Sequence, residues 1–316
     1  MTTAHHTIDL AVKRLLVAAG QAPSVHNTQP WRFKVGGDDV IELLADWNRW
    51  LPVSDPRGRS LHVSCGAALF NLRIAARAAG RRPVARLLPD PEKAPDLLAA
   101  VDLGAHELPT AEARELYELI PVRRTNRRPY DERLIPAHVL HEMRTAAALE
   151  HARLILLDRR SAADLLDYAA IAQDELARDT AYVAELAAWT SGHGVPSYVH
   201  GPLATGVVDP VRDFGRRSGS ARFEPRPQLA VLTTAGDEPM DWLRAGQALE
   251  RVLLVAAKHE VSASFLNQPL DLRDMRRRSD PHHRRGHPQM IMRLGYAPTV
   301  SRAPRRPVAE LLAERT

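Results

Sequence analysis

The chain has 316 residues, of which 45% are hydrophobic, enough for a substantial core in one large domain or two smaller ones. No apolar run reaches the length needed to span a bilayer, and an aromatic content of 5% argues against a protein that stacks single-stranded bases. The net charge is +5, and the single cysteine, Cys65, excludes an internal disulfide, so with a polar N-terminus the composition predicts a cytoplasmic protein.

The first part of the chain alternates helical and extended patterns. Thr7 is placed to cap the first helix, and the segment 36–39 supplies glycine and aspartate for the turn of a hairpin. The predicted elements are helices at 8–19, 61–79 and 112–120 and strands at 32–35, 40–45 and 84–88.

The rest of the chain continues this alternation, with one interruption. Ser161 and Asp164 form a capping pattern for a long helix that reaches Trp189. The stretch 191–220 that follows is rich in glycine and proline, and a loop of that length in a compact protein is usually functional or disordered. The predicted elements are helices at 135–149, 161–189 and 240–259 and strands at 152–158, 228–233, 261–266 and 288–296.

A polar loop with a fixed path follows the first helix. It reads Ala22-Pro23-Ser24-Val25-His26-Asn27-Thr28-Gln29-Pro30-Trp31, and its two prolines fix φ and remove two backbone donors. The hydroxyl and amide groups of Ser24, Asn27 and Gln29 can both donate and accept hydrogen bonds. Such a loop can contact the edge of a flat heterocycle, although a helix end followed by a turn explains the same residue types.

A cluster of guanidinium groups lies between two predicted helices. The segment reads Arg123-Arg124-Thr125-Asn126-Arg127, and closely spaced guanidinium groups repel one another unless an anion or solvent lies between them. A phosphate could accept hydrogen bonds from Arg123, Arg127 and the Thr125 hydroxyl together. The alternative from this run alone is a solvated basic face, the usual fate of a run of like charges.

Both segments resemble motifs of the nitroreductase-like flavoproteins. The loop is similar to the family pattern Pro-Ser-x-x-Asn-x-Gln-Pro-Trp, which lies against FMN bound mainly by the other subunit of a dimer. The arginine segment is similar to an Arg-Arg-Ser-x-Arg motif that contacts FMN, with Thr125 in place of serine. The family also ends with an apolar strand, a Gly-Tyr turn and phosphate-binding basic residues, which here are 289–294, Gly295-Tyr296 and Arg305-Arg306.

These motifs are divided between two halves of the chain, and the two halves are weakly similar in sequence. Gly66 and Gly246 each begin a similar apolar helical pattern, and a chance pairing of two apolar helices is the alternative. The resemblance implies an α+β nitroreductase-like fold in which two subunits are fused as a pseudo-dimer, as in the Acg-type subgroup. Residues 1–120 would carry the loop, and residues 121–316 the arginine motifs and a lid at 191–220. One FMN site results, in a monomer or a homodimer.

The resemblance places FMN-contacting residues on both halves. No catalytic side chain is required, because the cofactor carries the chemistry and the protein supplies position, electrostatics and access. The segment 264–269 corresponds to a glycine-containing segment near the reactive flavin nitrogen of the family, and it has no glycine. The expected cofactor-binding residues are Pro23, Ser24, Val25, His26, Asn27, Gln29, Arg123, Arg124, Thr125, Arg127, Leu266, Asn267, Arg305 and Arg306.

The same resemblance implies two different activities. One is an NAD(P)H-dependent oxidoreductase that passes electrons to a small-molecule acceptor, such as a nitro compound or a quinone. The other is a flavin-sequestering or storage protein, because a lid over the flavin would exclude both partners. The sequence leaves the choice between them open.

Two further clusters indicate other kinds of site. His282, His283 and His287 could bind zinc, but no cysteine or carboxylate lies at ligand spacing, and a solvated loop is the simpler interpretation. Arginines at 276–278 and 284–285 could contact nucleic acid, but no helix-turn-helix, zinc-finger or RNP pattern accompanies them. The sequence therefore predicts neither a metal site nor a nucleic-acid partner.

Overall fold

The computed structural model describes residues 9–37, 39–190, 194–205, 212–214, 219–276 and 286–313, without the side chains of 275 and 276. The helices are α1 (Leu10–Ala19), α2 (Arg59–Ala78), α3 (Ala111–Leu119), α4 (Ala137–Leu149), α5 (Arg159–Arg178), α6 (Thr180–Thr190), α7 (Pro239–Lys258), α8 (Gln268–Arg276) and α9 (Val308–Leu311). The strands are β1 (Trp31–Val35), β2 (Val40–Ala45), β3 (Val84–Leu87), β4 (Leu97–Asp102), β5 (Arg153–Leu156), β6 (Leu203–Ala204), β7 (Ser220–Ala221), β8 (Gln228–Thr234), β9 (Ser262–Phe265) and β10 (His287–Gly295).

Two four-stranded antiparallel sheets form the frame of the fold. Their strand orders are β1-β2-β4-β3 and β5-β8-β10-β9, so the arrangement of the first half is repeated in the second. The 20-residue helices α2 and α7 pack against each other within the main hydrophobic core. The structure confirms the predicted α+β class. No helix in the part of the chain that the structure describes is long and apolar enough to cross a membrane.

Helices α2 and α7 meet backbone to backbone at two glycines. A Cβ atom on Gly66 would lie 2.2 Å from the Leu243 carbonyl oxygen, and one on Gly246 would lie 2.0 Å from the Val63 carbonyl oxygen. The two contacts are reciprocal, as contacts across a two-fold axis are. Both positions therefore require glycine because of close packing.

The ends of two helices differ from the predictions. The helix predicted at 161–189 is interrupted between α5 and α6, because Asp179 adopts an extended ψ of 107°. Asp158, rather than Ser161, caps α5, and its carboxylate accepts the Ser161 N–H at 2.8 Å. Thr7, the predicted cap of α1, lies outside the described residues. The cap of the described helix is Asp9.

The sequence pattern does not predict β4 or α8. Strand β4 is an apolar run without clear alternation, and its two alanines have little preference for strands. It becomes a strand because it pairs with β2 on one side and β3 on the other. Helix α8 follows β9 directly, at a segment whose polar residues suggest a loop. Tertiary contacts decide both elements.

A buried carboxylate lies at the start of α2. Asp55 accepts hydrogen bonds from the Ser60 and Leu61 N–H groups at 3.0 and 2.9 Å. Arg59, the main opposing charge, is itself paired with Asp274 at 2.6 Å. Burial raises the pKa of Asp55 to about 7, because desolvation of the carboxylate outweighs the effects of Arg59 and of the two hydrogen bonds.

We expect Asp55 to make the free energy of unfolding fall as the pH rises from about 4 to 7. The pKa of about 7 in the folded state lies above the ordinary value of 3.8, so the folded state binds the proton more tightly than the unfolded state does. The free energy of unfolding gained from this tighter binding is lost as the pH rises through 7. The Asp55→Asn variant should therefore show a flatter dependence in this window. Urea unfolding at several pH values measures it, with the exposed Glu118→Gln as the control. Equal slopes for Asp55→Asn and the wild type would contradict the assignment.

Candidate functional site

The loop after α1 follows an unusual backbone path. His26, Asn27 and Gln29 have φ angles of 45°, 56° and 50°, in the left-handed region that residues other than glycine seldom adopt. The Ser24 hydroxyl holds this path, because its Oγ accepts the Gln29 N–H at 2.9 Å. Backbone strain of this kind persists where the surroundings impose it, and it clusters at functional sites.

The C-terminal tail lies against this loop. Arg305 Nη1 donates to Asn27 Oδ1 at 3.0 Å, and Asn27 Nδ2 donates to the Pro304 carbonyl at 3.1 Å. Arg305 Nη2 also donates to the Gln21 carbonyl at 3.2 Å. Two motifs from opposite ends of the sequence therefore form one surface.

Arginine side chains line a cavity between this surface and the segment 123–127. This first cavity has a volume of about 640 Å³, its open mouth included. The predicted loop, arginine segment and tail all contribute to it, which brings the three motifs together. Its polar and proline lining is Gln21, Pro23, Ser24, Asn27, Arg123, Arg124, Thr125, Arg127, Ser301, Arg302 and Arg305.

Positive charge predominates in the first cavity. Among the described residues, Glu250 is the acid that pairs with the arginines, and its Oε1 lies 3.5 Å from Arg123 Nε. The Nε and Nη1 groups of Arg123 are buried without a hydrogen-bond partner in the described ranges. Burial, with Arg123 and Arg302 nearby, lowers the pKa of Arg305 to about 9. Buried guanidinium groups with unused donors fit an anionic ligand.

A second cavity adjoins the first and is lined mostly by uncharged side chains. His26 lies here, and burial together with Arg212 and Arg127 holds the pKa of its imidazole well below the usual value. The ring is therefore neutral at pH 7, and its Nε2 has no hydrogen-bond partner among the residues described. The lining is Pro23, Ser24, Val25, His26, Ser60, Val63, Ser64, Arg127, Arg212, Phe214, Leu249, Phe265, Asn267, Asp271 and Met290.

Described parts of the predicted lid, 191–220, lie against the loop. The Gly194 carbonyl accepts a hydrogen bond from Asn27 Nδ2 at 3.0 Å. The Phe214 ring lines the second cavity, and its centre lies 5.8 Å from that of the His26 ring in an edge-to-face arrangement. The parts of this segment outside the described residues are 191–193, 206–211 and 215–218.

Three of the predicted site residues do not line either cavity in the part of the chain described. Gln29 Oε1 accepts the Arg306 N–H at 2.8 Å, which fastens the loop to the tail. The Arg306 guanidinium donates to the Trp31 carbonyl and pairs with Asp46, each at 3.3 Å. Leu266 is buried in a separate apolar cluster. These residues position the loop, the tail and β9, and they do not line the first or the second cavity.

The sequence interpretation misses several residues of the site. Arg302 belongs to the same basic tail as Arg305, and that shared position is a signal that could have found it. Glu250 is an acid within a strongly apolar helical pattern, which is typical of a buried, paired charge. Phe214 and Phe265 give no signal, since an aromatic residue in an apolar context is usually part of a core.

Most of the residues considered for a metal site or a nucleic-acid contact lie outside the described residues. Within the described ranges, no group of three or more histidine, cysteine, aspartate or glutamate residues is arranged to hold a metal ion. His282 and His283 lie outside those ranges, as do the arginines at 277, 278, 284 and 285. The structure therefore adds no support for either alternative.

Comparison with known proteins finds relatives over nearly the whole chain, although no family model matches it. "Uncharacterized protein Rv3127" of Mycobacterium tuberculosis is 32% identical over 320 residues, which cover 95% of this chain and 92% of the relative. A protein of the same organism, provisionally named NAD(P)H nitroreductase Rv3131, is 32% identical over 301 residues, 91% of this chain and 85% of the relative. The chain belongs to the nitroreductase family. A further nitroreductase relative of M. tuberculosis, provisionally named acg, is 29% identical over 333 residues, 95% of this chain and 94% of the relative.

Solved structures of nitroreductases are more distant. One with bound FMN from Desulfitobacterium hafniense is 13% identical to this nitroreductase-family chain and superposes with a TM-score of 0.40. The match covers 64% of this chain and 98% of the Desulfitobacterium chain. Another with bound FMN from Bacteroides fragilis is 17% identical, covers 58% and 88%, and has a TM-score of 0.35. Likeness at this level establishes no common fold, so membership of the nitroreductase family rests on the sequence relatives.

Proposed function

We propose that the chain is an FMN-binding flavoprotein, with the phosphate in the first cavity and the flavin in the second. The observation that carries the proposal is the buried Arg123 guanidinium, in a cavity lined by five arginines. Its Nε and Nη1 groups form no hydrogen bond with the described residues, and the acid paired with it, Glu250, lies 3.5 Å from Nε. A phosphate monoester supplies the acceptors that these donors lack. Membership of the nitroreductase family supports the same cofactor.

Residues from distant parts of the chain would hold this cofactor. The Arg123 and Arg305 side chains would bind the phosphate, because both line the first cavity, and Arg123 is buried with a donor at Nη1 that is unused among the described residues. The neutral His26 could hydrogen-bond the flavin edge without adding charge. When bound, FMN would supply two-electron transfer, and the protein would orient it and exclude water. The residues proposed to contact it are Pro23, Ser24, Val25, His26, Asn27, Arg123, Arg124, Thr125, Arg127, Asn267, Arg302 and Arg305.

The chain is further inferred to be two fused nitroreductase-like halves, 1–120 and 121–316, joined as a pseudo-dimer of the Acg type. The repeated strand order supports this inference. The reciprocal contact of Gly66 and Gly246 supports it as well, because an interface between two related subunits has that symmetry. Such a chain contains its own dimer interface and has no need of a second copy to complete the site.

The position that would correspond to a second FMN site is closed by ion pairs. The loop after α4, at 150–152, corresponds to the long loop after α1 but has three residues. Glu150 there accepts hydrogen bonds from Arg73 at 2.7 Å and Arg251 at 3.1 Å. A phosphate at this position would have to compete with Glu150 for these two arginines. We therefore infer one FMN per chain.

Two activities follow from an FMN site of this kind. The first is NAD(P)H-dependent reduction of a small nitro compound or quinone, which the names of the relatives favour. The second is sequestration of the flavin. The hydrogen bond between Asn27 and Gly194 and the placement of Phe214 against His26 favour it, because they put the lid where a substrate would enter.

The absorbance spectrum of the purified protein, loaded with FMN, tests the proposal. We expect flavin peaks with a stoichiometry near one FMN per chain. Peaks that bleach on anaerobic addition of NADPH or NADH support an oxidoreductase, and peaks that persist support sequestration. Absence of FMN binding at micromolar concentrations would overturn the proposed function, and a stoichiometry of two would overturn the single-site inference.

A further inference from the structure

A buried carboxylate lies behind the arginines of the first cavity. Glu250 of α7 is fully buried, and the side chain that favours its ionised form by hydrogen bonding is Asn71, from α2. Asn71 is fully buried as well, so water does not reach this pair. A buried carboxylate whose neighbours are one neutral amide and one arginine at 3.5 Å is costly to ionise, which points to a role beyond packing.

The charges that face Glu250 come from the segments that form the phosphate site. Arg123 approaches to 3.5 Å from the arginine segment, and Arg305 acts on it from the tail. On α7 itself the next residue, Arg251, is engaged elsewhere with Glu150. Burial raises the pKa of Glu250, and Arg123 opposes this shift only in part. The charge state of Glu250 is therefore coupled to the two arginines of the phosphate site.

Glu150, which follows α4, is a carboxylate held in structural ion pairs, and it provides a comparison for Glu250. Both oxygens of Glu150 bond an arginine, Oε2 with Arg73 at 2.7 Å and Oε1 with Arg251 at 3.1 Å. Glu250 forms one longer ion pair, through Arg123 Nε, and the Arg123 Nη1 group has no hydrogen-bond partner among the described residues. The arrangement at Glu250 thus leaves Arg123 available to another anion.

We propose that Glu250 is the resident counter-charge of the phosphate site, and that the site binds a phosphate monoester most tightly when Glu250 carries a proton. The inference rests on the proposed FMN function and deepens it. An ionised Glu250 and the phosphate compete for Arg123 and repel each other, whereas a protonated Glu250 leaves the guanidinium charge to the phosphate. Glu250 is in this view a positioning residue that sets the charge of the site.

Titration of FMN fluorescence at pH 6.5 to 9 tests the inference on the wild type and on Glu250→Gln. The FMN phosphate has its second pKa near 6, so it is mainly a dianion over this range. We expect wild-type binding to weaken by about tenfold across the pH range in which Glu250 ionises, wherever its raised pKa places that range. Glu250→Gln should bind FMN at least as tightly as the wild type at pH 6.5, and with little pH dependence. Riboflavin, which lacks the phosphate, should show neither effect.

A calorimetric measurement on the wild type keeps the inference testable if the variant folds poorly. Titration of FMN in buffers of different ionisation enthalpy, at the pH where wild-type affinity changes most steeply, should show proton uptake, and riboflavin should show none. Weaker FMN binding by a folded Glu250→Gln variant, parallel pH profiles or absence of proton uptake would overturn this inference alone. Absence of FMN binding by the wild type at every pH would overturn the proposed function, and this inference with it.

Discussion

Replacement of Arg305 by alanine is expected to weaken FMN binding about 10-fold to 100-fold, because a charge-assisted hydrogen bond to phosphate contributes about 1.5–3 kcal/mol. Arg305 lines the first cavity and is held there by Asn27 Oδ1 at 3.0 Å. Burial lowers its pKa to about 9, because the charged guanidinium is poorly solvated there. A bound anion would pair with this charge and offset the cost of its desolvation. Quenching of FMN fluorescence measures the dissociation constant.

The adjacent Arg306 provides a matched control. It lies next to Arg305 in the sequence, but its guanidinium binds Asp46 and the Trp31 carbonyl and does not line the described cavities. Arg306→Ala should lower thermal stability while FMN binds within about threefold of the wild type. Riboflavin affinity should be unchanged in Arg305→Ala. Equal FMN affinities of Arg305→Ala and the wild type would exclude Arg305 from the phosphate site.

Replacement of Gly66 by alanine is expected to destabilise the fold by about 3 kcal/mol, at the upper end of the cost of overpacking a core. A methyl group there would lie 2.2 Å from the Leu243 carbonyl oxygen, and backbone cannot move aside as a flexible side chain can. Gly246→Ala should have a similar effect, since it meets the Val63 carbonyl oxygen at 2.0 Å. We expect Tm to fall by about 5 °C or more in a thermal melt.

Gly37→Ala is the control for this pair. A Cβ atom on Gly37 would meet no atom within 4 Å, so Tm should stay within about 1 °C of the wild-type value. Similar Tm values for Gly66→Ala, Gly246→Ala and Gly37→Ala would show that α2 and α7 can separate without cost. That result would also remove the main geometric support for an intramolecular two-fold interface.

The predicted lid and the proposed flavin site contact each other in this fold. Asn27 binds both the tail and the Gly194 carbonyl, so its amide connects three segments that are distant in the sequence. Phe214 lies against His26 and stacks on His200 at 5.1 Å. A substrate that reached the second cavity would have to displace these rings. The spectral change on addition of NADPH therefore reports on the lid as much as on the cofactor.

Local sequence predicts much of the fold because helical periodicity and turn residues act over short distances. The helix at 112–120 with its Thr110 cap and the hairpin at 32–45 are present within one or two residues of their predicted ends. Strand β4 is not predicted, because its apolar residues fit a helix as well as a strand until β2 and β3 pair with it. The break at Asp179 is likewise invisible in a continuous helical pattern.

The residue types alone fix the chemistry available to the site: a polar loop with two prolines, and closely spaced arginines in two separate segments. These properties do not depend on the fold. Folding selects the arginine that faces the cavity, because Arg305 and Arg306 are equivalent in sequence and differ in the groups that surround them. It also places Glu250 behind Arg123, since packing of α7 against the rest of the core joins groups that no spacing along the chain connects.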